Sequence, residues 1–226
     1  MAFFILPVEI LQKFDIMYLV KIFEVLETAM KFVIIAAVAY LLGSFCASIP
    51  LSKRFFGEDV RNMGSGNAGA TNVARCFGIR AGLITLACDM LKTVAAMLLG
   101  FSMAGEGGMA LAGAFCILGH CFPLYFDFRG GKGVSAGAAL ALMQGAWVFV
   151  SVMAVFAIVA FSGKKVSLAS ICAAVSLPIA SAIFTKSTQM LIMSLFSAAL
   201  VVIMHRANIK RLINGTEPDF KPGKSM

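Results

Sequence analysis

Apolar residues occur along this chain in long continuous runs rather than in short alternation. Runs long enough to cross a bilayer as helices lie at 31–51, 83–103, 109–126, 145–162, 166–184 and 190–205. A shorter run at 134–144, rich in Ala, predicts a seventh span that depends on neighbouring helices. The alternation expected of a transmembrane β-barrel is absent. The pattern predicts an all-α, polytopic integral membrane protein with seven transmembrane helices, one of them short.

The composition agrees with this pattern. Of the 226 residues, 60% are hydrophobic and 13% are charged, and the mean hydropathy is +0.93. A soluble domain of this length has no use for so much apolar surface, which excludes that class. The six cysteines are scattered without a CxxC pair, so we expect buried small residues rather than disulfides or a zinc site. We therefore expect no metal and no cofactor.

Basic residues are distributed unevenly and predict the orientation of the chain. Fourteen of them fall in four segments that one orientation places together, namely 52–80, 127–133, 163–165 and the residues from 205 onward. Four fall on the other side, at Lys13, Lys21, Lys31 and Lys186. The richer side is predicted to be cytoplasmic, and it holds every polar segment and the carboxyl terminus. The net charge of +8 indicates anionic lipid headgroups or anionic substrates.

The two ends of the chain differ from the predicted membrane domain at 31–212. In residues 1–30 the first charge is acidic, so they lack the basic start of a signal peptide. Their apolar pattern, interrupted by Glu and Lys, suits an interfacial amphipathic helix. A natural start at Met30 explains them equally well. Residues 213–226 are predicted to be a polar cytoplasmic tail.

The first polar segment, residues 64–75, has the sequence GSGNAGATNVAR. Its glycines permit positive φ angles and let backbone amides converge on an anion. Arg75 carries a guanidinium that fits phosphate through two hydrogen bonds. The neutral side-chain donors of the segment are Ser65, Asn67, Thr71 and Asn72. A polar turn that caps a helix is the plainer alternative, but the density of donors near Arg61 and Arg75 favours anion binding.

The second polar segment, residues 119–137, has the sequence GHCFPLYFDFRGGKGVSAG. Gly130, Gly131 and Gly133 surround Lys132 just before a predicted helix, and a glycine loop that enters a helix N-terminus is a general phosphate site. It departs from a Walker A loop because glycine stands where Ser or Thr would follow the lysine. A basic interfacial loop that contacts lipid headgroups is the alternative.

The third polar segment, residues 205–220, has the sequence HRANIKRLINGTEPDF and follows the last predicted span. His205 and Asn208 are three residues apart and therefore share one face of a helix. Contact with anionic lipid explains the basic residues of this segment. It does not explain the placement of His205 and Asn208, which predicts that they meet substrate together with the first two segments.

Two ionisable residues, Asp89 and Lys92, lie three apart inside the second span and are predicted to pair. Charged groups within lipid are expensive, which usually indicates function. A self-neutralising pair that braces the helices is an equal alternative, and it is the one we favour. His120 and Asp127 are likewise interpreted as structural residues that hold the backbone of the second segment.

Together the three segments resemble the bacterial acyl-phosphate:glycerol-3-phosphate acyltransferases, the PlsY family. The resemblance runs from about Tyr40 to Glu217 and includes GSFCASIP, RNMGSGNAGATNVAR, GHCFPLYFDFRGGKGVSAG and HRANIKRLINGTE. It implies seven spans in the bacterial inner membrane, with the motifs on the cytoplasmic side. It also implies transfer of a fatty acyl group from acyl phosphate to the 1-hydroxyl of glycerol 3-phosphate, giving lysophosphatidic acid and inorganic phosphate. The site residues that it implies are Ser65, Asn67, Thr71, Arg75, Lys132, His205 and Asn208.

The resemblance and the chemistry together suggest a role for each segment. Ser65, Arg75 and Lys132 are assigned to the phosphate of glycerol 3-phosphate, and His205 and Asn208 to its hydroxyls. The backbone amides of 130–133 are assigned to the phosphate of the acyl donor, and an exchange of the two phosphates is the alternative. The acyl chain is expected in a groove open to lipid. The predicted partners are both substrates and membrane lipid, with no nucleic acid, and a monomer is one candidate assembly.

Acyl phosphate is already activated, so the protein has to position the reactants and stabilise the oxyanion. We predict direct transfer without an acyl-enzyme, with a substrate phosphate accepting the hydroxyl proton and Ser65 donating a hydrogen bond.

A transporter or channel for an organic phosphate anion is the alternative function, because broken helices and basic groups also build such sites. The sequence shows no internal repeat, and its polar segments gather on one face, so we prefer the enzyme to the transporter or to a structural scaffold.

Overall fold

The computed structural model of the chain describes residues 8–163 and 165–223, with side chains from residue 16 onward. Within these residues the chain is helical and contains no β-strand. The α-helices are α1 (Val8–Ser44), α2 (Ser48–Phe56), α3 (Ala70–Phe77), α4 (Ile79–Cys121), α5 (Val134–Gln144), α6 (Ala146–Gly163), α7 (Val166–Phe184), α8 (Thr188–Met204) and α9 (Arg206–Ile213). The predicted all-α fold is confirmed.

Helix α4 reverses direction near its middle. Ala104 and Gly105 have non-helical backbone angles, and Gly105 has a φ of 57°. A methyl group on Gly100 would lie 2.3 Å from the carbonyl oxygen of Gly108, so the backbones of the two halves touch. The predicted spans at 83–103 and 109–126 are therefore the two antiparallel halves of one helical hairpin. Glycine allows both the reversal and the close contact.

The apolar helices match the predicted runs, including the short α5. In the part of the chain that the structure describes, four helical stretches are long and apolar enough to cross a bilayer. Helices α8 and α9, bent by 59°, form a fifth, and one of the four is the hairpin-forming α4. The chain therefore has a multi-pass membrane architecture, and the count of seven crossings stays a prediction.

The amino-terminal extension continues the first membrane helix. Helix α1 is 37 residues long and has no break at the predicted boundary between residues 30 and 31. Residues 16–31 are exposed throughout, and Glu27 pairs with Lys31 at 2.8 Å across that boundary. Residues 1–7 of the extension and 224–226 of the predicted tail lie outside the described residues. The role of residues 1–30 stays a prediction.

Close backbone contacts hold α1 against the second half of α4. A methyl group on Gly43 would lie 2.1 Å from the carbonyl oxygen of Cys116, and one on Gly119 would lie 2.2 Å from that of Tyr40. Small residues at such contacts let helices approach closely in lipid. A second apolar core, which includes Ile117, Leu140 and Val201, joins α4 to α5, α6, α7 and α8. The polar segments lie at the ends of these two cores.

Candidate active site

The three polar segments meet around one cavity of about 830 Å³. Eight of the eleven predicted site residues line it, namely Ser65, Asn67, Thr71, Asn72, Arg75, Lys132, His205 and Asn208. The first four lie in the loop before α3 or in α3 itself, and Arg75 lies in the last turn of α3. Lys132 precedes α5, and His205 and Asn208 lie at the bend between α8 and α9. The three predicted glycines do not line the cavity.

Asn72 organises the loop at the start of the cavity. Its side chain is buried, and its Nδ2 atom lies 3.0 Å from three loop carbonyl oxygens, those of Val60, Met63 and Asn67. Its Oδ1 atom accepts a hydrogen bond from the amide of Ser65 at 2.8 Å. The predicted substrate contact of Asn72 is thus replaced by contacts with the backbone, because a buried amide must satisfy its hydrogen bonds.

Asn67 joins the first loop to the second. Its Nδ2 atom donates to the carbonyl oxygen of Gly130 at 3.2 Å, and its Oδ1 atom accepts from the amide of Gly69 at 2.9 Å. In contrast, the side chains of Ser65, Thr71 and Arg75 make no hydrogen bond or ion pair with other described residues. The loop therefore leaves two hydroxyls and one guanidinium available to a ligand.

The second loop corrects one prediction. The amide of Gly130 donates to the carbonyl oxygen of Cys121 at 3.3 Å, and that of Gly131 donates to His120 at 3.0 Å. These acceptors end α4, where helix carbonyls lack intrahelical partners, so the loop satisfies the helix instead of an anion. Within the described structure, the amides of Lys132 and Gly133 have no acceptor. The predicted phosphate contact is therefore wrong for the amides of Gly130 and Gly131, which helix carbonyls already occupy. For the amide of Gly133 it stays a prediction, and the amide of Lys132 is available in the same way.

Lys132 is one of the cations that line the cavity. Its Nζ atom donates to Oδ1 of Asn208 at 2.5 Å. The pKa of Lys132 is lowered to about 8, chiefly by burial and also by the guanidinium groups of Arg211 and Arg75, while Glu217 partly opposes these effects. A bound phosphate would restore the preference for the charged ammonium, because opposite charges favour each other's ionised form.

Glu217 is a site residue that the sequence analysis missed. Its carboxylate is buried and accepts from Nδ2 of Asn208 and from Nε of Arg211, each at 2.7 Å. Burial raises the pKa of Glu217, but these hydrogen bonds outweigh it and lower the pKa below its usual value. Its carbonyl oxygen accepts from Nζ of Lys165. An acidic residue within a basic segment was the sequence feature that could have indicated Glu217. The turn at Gly215, which brings Glu217 back to α9, cannot be recognised from residue spacing.

His205 and Asn208 are both buried in the cavity wall. Nδ1 of His205 lies 2.8 Å from the carbonyl oxygen of Val201. A carbonyl can only accept, so Nδ1 carries the proton in the neutral ring and Nε2 is left as an acceptor. Asn208 uses its amide oxygen for Lys132 and its amide nitrogen for Glu217, and it therefore orients the lysine.

The predicted pair of Asp89 and Lys92 is confirmed, with 2.8 Å between Oδ1 and Nζ. Lys92 also donates to the carbonyl oxygens of Gly43 and Phe45, at 3.0 and 2.8 Å, which agrees with a bracing role. The side chain of Asp127 is 88% exposed and its Oδ2 atom lies 4.0 Å from Nη1 of Arg61, and its structural role stays a prediction.

Arg61 contacts the second loop directly. It donates to the carbonyl oxygen of Phe126 at 2.8 Å and forms an ion pair with Asp59. Its hydrogen bonds lower the pKa of Asp59 to about 2. Arg61 thus belongs to the fold rather than to the ligand site.

An apolar pocket of about 260 Å³ adjoins the polar cavity inside the helix bundle. The two share four lining residues, Leu86, Val134, Phe156 and Ser170. The rest of the pocket is formed by side chains of α4 to α8, most of them apolar. A cationic site that opens into an apolar pocket suits a ligand with an anionic head and a hydrocarbon chain.

The fold and the site define a multi-pass helical membrane protein with a cationic cavity next to an apolar pocket. The sequence model described as glycerol-3-phosphate acyltransferase matches residues 33–215. The chain therefore belongs to the glycerol-3-phosphate acyltransferase family, and the resemblance inferred from the motifs is confirmed.

Curated relatives match over most of their length. The chain is 40% identical over 185 residues to the glycerol-3-phosphate acyltransferase of Thermoanaerobacter pseudethanolicus (strain ATCC 33223 / 39E), covering 82% of this chain and 93% of the relative. It is 43% identical over 193 residues to that of Clostridioides difficile (strain 630), covering 83% and 94%.

The fold matches crystal structures of PlsY, an integral membrane glycerol 3-phosphate acyltransferase. Its glycerol 3-phosphate form gives a TM-score of 0.77 at 32% identity, covering 84% of this chain and 96% of that chain. Its lysophosphatidic acid form gives a TM-score of 0.75 at 30% identity, covering 84% and 95%.

Proposed function

We propose that this protein transfers a fatty acyl group from acyl phosphate to the 1-hydroxyl of glycerol 3-phosphate, releasing lysophosphatidic acid and inorganic phosphate. The observation that carries the proposal is the continuity of the cationic cavity with the apolar pocket. Both substrates bear phosphate, and the acyl donor also bears a hydrocarbon chain. Membership of the acyltransferase family favours this reaction over anion transport.

In this proposal the side chains of the cavity bind glycerol 3-phosphate. Arg75 and Lys132 contact its phosphate, and the hydroxyl of Ser65 adds a neutral donor. Nε2 of His205 accepts a hydrogen bond from a glycerol hydroxyl. Asn208 does not contact the substrate but orients Lys132, because its two polar side-chain atoms already contact Lys132 and Glu217.

The acyl donor occupies the junction of the two cavities. The free amides of Lys132 and Gly133, at the start of α5, hold its phosphate, since a helix N-terminus favours anions. The chain enters the apolar pocket past Val134 and Phe156, which line both cavities. The reacting carbonyl then lies between the two phosphates.

The reaction is a direct transfer. The glycerol oxygen forms a bond to the acyl carbon, and the bond from that carbon to the phosphate oxygen breaks. Substrate phosphate, with a second pKa of about 6, accepts the hydroxyl proton. The hydroxyl of Ser65 donates to no described base, and a covalent mechanism would need one. This supports a hydrogen-bonding role for Ser65 rather than acylation.

The orientation is part of the proposal, with the site facing the cytoplasm of a bacterial inner membrane. Lys186 and Lys210 are both exposed and lie on opposite predicted sides. Cysteines placed at these two positions in a Cys-free variant should differ in intact cells. An impermeant thiol reagent should label position 186 and spare position 210, and the opposite pattern would overturn the orientation.

The decisive experiment supplies the purified protein with palmitoyl phosphate and labelled glycerol 3-phosphate. Lysophosphatidic acid and phosphate should appear in equal amounts. Palmitoyl-CoA serves as a control donor, and Lys132→Ala as a control protein. The competing transport function predicts no product, but uptake of labelled glycerol 3-phosphate into liposomes that contain the protein.

A further inference from the structure

We propose that Asp89, Lys92 and His120 form a positioning cluster that sets the place of Lys132 through contact with Gly131. This inference deepens the proposed function and rests on it, since it concerns how the glycerol 3-phosphate site is held. The three residues lie on the two halves of the α4 hairpin, and the side chain of Lys92 is 8% exposed and those of the other two are 1% exposed.

The cluster is centred on Lys92, which connects α4 to the end of α1. Its ammonium lies 2.8 Å from Asp89 and 3.1 Å from Nδ1 of His120, besides its contacts with the carbonyls of Gly43 and Phe45. An ammonium can only donate, so Nδ1 of His120 accepts in its contact with Lys92. The same Nδ1 atom lies 3.5 Å from Oδ1 of Asp89, so Lys92 and Asp89 together orient the imidazole.

The imidazole of His120 packs closely against the second loop. A methyl group on Gly131 would lie 2.0 Å from Nε2 and 2.6 Å from Cε1 of His120. The carbonyl oxygen of His120 accepts the amide of Gly131 as well. His120 thus holds Gly131 by its ring and by its backbone, and the next residue is Lys132.

The cluster also reaches the first loop through the chain that follows α1. Cys46 donates from its thiol to the carbonyl oxygen of His120 at 3.6 Å. Two residues later, the hydroxyl of Ser48 donates to the carbonyl oxygen of Ala68 at 2.5 Å. The segment after α1 therefore contacts both His120 and the loop that carries Ser65. The two loops that carry Ser65 and Lys132 are thus held by the same buried group of residues.

A simple brace would not need charges. Burying an ion pair costs desolvation that well-packed apolar residues avoid, so its use is better explained by geometric specificity. Ion pairs and hydrogen bonds restrict the cluster to few arrangements, since Asp89 is held by its charge contacts with Lys92 and His120, whereas apolar side chains can shift past one another. Reacting groups tolerate little displacement, since a shift of about 1 Å can cost about a hundredfold in rate.

The test is a double-mutant cycle of Gly131→Ala and His120→Ala, read as the KM for glycerol 3-phosphate. Gly131→Ala alone should raise KM by about tenfold or more, because its methyl displaces the loop. In the His120→Ala background the three atoms nearest to that methyl are gone. The same replacement should then raise KM by about threefold or less. An equal effect in both backgrounds would overturn the proposal.

His120→Phe keeps the ring volume against Gly131 and removes the hydrogen bond to Lys92. It should raise KM several-fold while Tm changes little. Thr93→Val is the matched control, since Thr93 is fully buried next to Lys92 in sequence and its side chain forms hydrogen bonds only with residues of the hairpin among those described. It should lower Tm and leave KM unchanged. A normal KM in His120→Phe would contradict the role of Lys92.

The same double-mutant cycle can be measured without catalysis. The binding constant of glycerol 3-phosphate is obtained for each variant by thermal shift in the absence of an acyl donor. Wild-type protein that binds but forms no product would refute the proposed reaction while leaving the cluster testable. Coupling between the two replacements in the binding constant would then still support the cluster, and its absence would exclude it.

Discussion

The two glycine-rich loops of the cavity look alike in sequence and use their polar groups differently. In residues 64–69, the backbone is held by the side chains of Asn67 and Asn72, and nearby hydroxyls and Arg75 are left for a ligand. In residues 129–133, the amides of Gly130 and Gly131 donate to the end of α4, and the side chain of Lys132 is left for the ligand. Each motif thus contains both residues that hold the loop and residues available to a ligand. The two kinds can be told apart only by their contacts in the structure.

The largest expected effect comes from the cations that bind. Lys132→Ala and Arg75→Ala should each lower kcat/KM about a hundredfold or more, because a charge-assisted phosphate contact is lost. Tm should stay near the wild-type value. Lys210→Ala, an exposed lysine on the same helix as Asn208, is the control and should leave kcat/KM unchanged. Similar losses in all three variants would erase the distinction between binding and holding residues.

Removal of a holding residue should give the opposite profile. Asn72→Ala leaves three loop carbonyls and one amide without their partner and should cost about 1–3 kcal/mol of stability. Activity should fall with the folded fraction, while KM of the folded enzyme changes less than in Arg75→Ala. Asn62→Ala, an exposed asparagine in the same loop, serves as the control. An unchanged Tm in Asn72→Ala would contradict its holding role.

The charge of Lys132 should appear in the pH profile. With a pKa of about 8 in the free protein, this lysine loses its charge well below the usual range. We expect kcat/KM to fall as pH rises through 8, by about tenfold for each further pH unit. Bound phosphate favours the ammonium, so the limb of kcat should lie at higher pH. In Lys132→Arg the fall of kcat/KM near pH 8 should be absent. If the fall persists in this variant, another group titrates near pH 8.

A smaller effect is expected for the neutral donor. Ser65→Ala should lower kcat/KM by less than about tenfold, the size of one ordinary hydrogen bond. Mass spectrometry of the enzyme incubated with acyl phosphate alone should show no acyl adduct. A stoichiometric adduct that disappears in Ser65→Ala would establish a covalent mechanism instead.

The smallest effect is expected from the tail. Removal of residues 219–226 takes away the ion pair of Asp219 with Lys165 and the hydrogen bond from the amide of Gly223 to Ala74. These contacts are only half-buried and contribute little, so KM should change by about threefold or less, although Asp219, Phe220 and Lys221 line the cavity. A loss as large as that of Arg75→Ala would make the tail part of the binding site.

The sequence predicted the helices and the gathering of the polar segments, because apolar runs of spanning length leave few alternatives. It placed Ser65, Arg75 and Lys132 at one cavity before any geometry was known. It misassigned Gly130 and Gly131, since the acceptors that take their amides come from the end of another helix. Glu217 escaped notice for the same reason, as its partners meet it only after the chain turns at Gly215. The sequence does not indicate which polar atoms form hydrogen bonds with other parts of the protein and which remain available to a ligand.

The packing of Gly223 against α3 has a practical consequence for handling this protein. A methyl group on Gly223 would lie 2.7 Å from the carbonyl oxygen of Arg75, so there is no room for a bulkier residue at that point. An affinity tag or fluorescent fusion at the carboxyl end would follow three residues after Gly223, which itself touches Arg75 of the cationic cavity. Residues 16–31 of α1 are exposed and none of them lines the cavity, so we recommend the amino terminus for a purification tag.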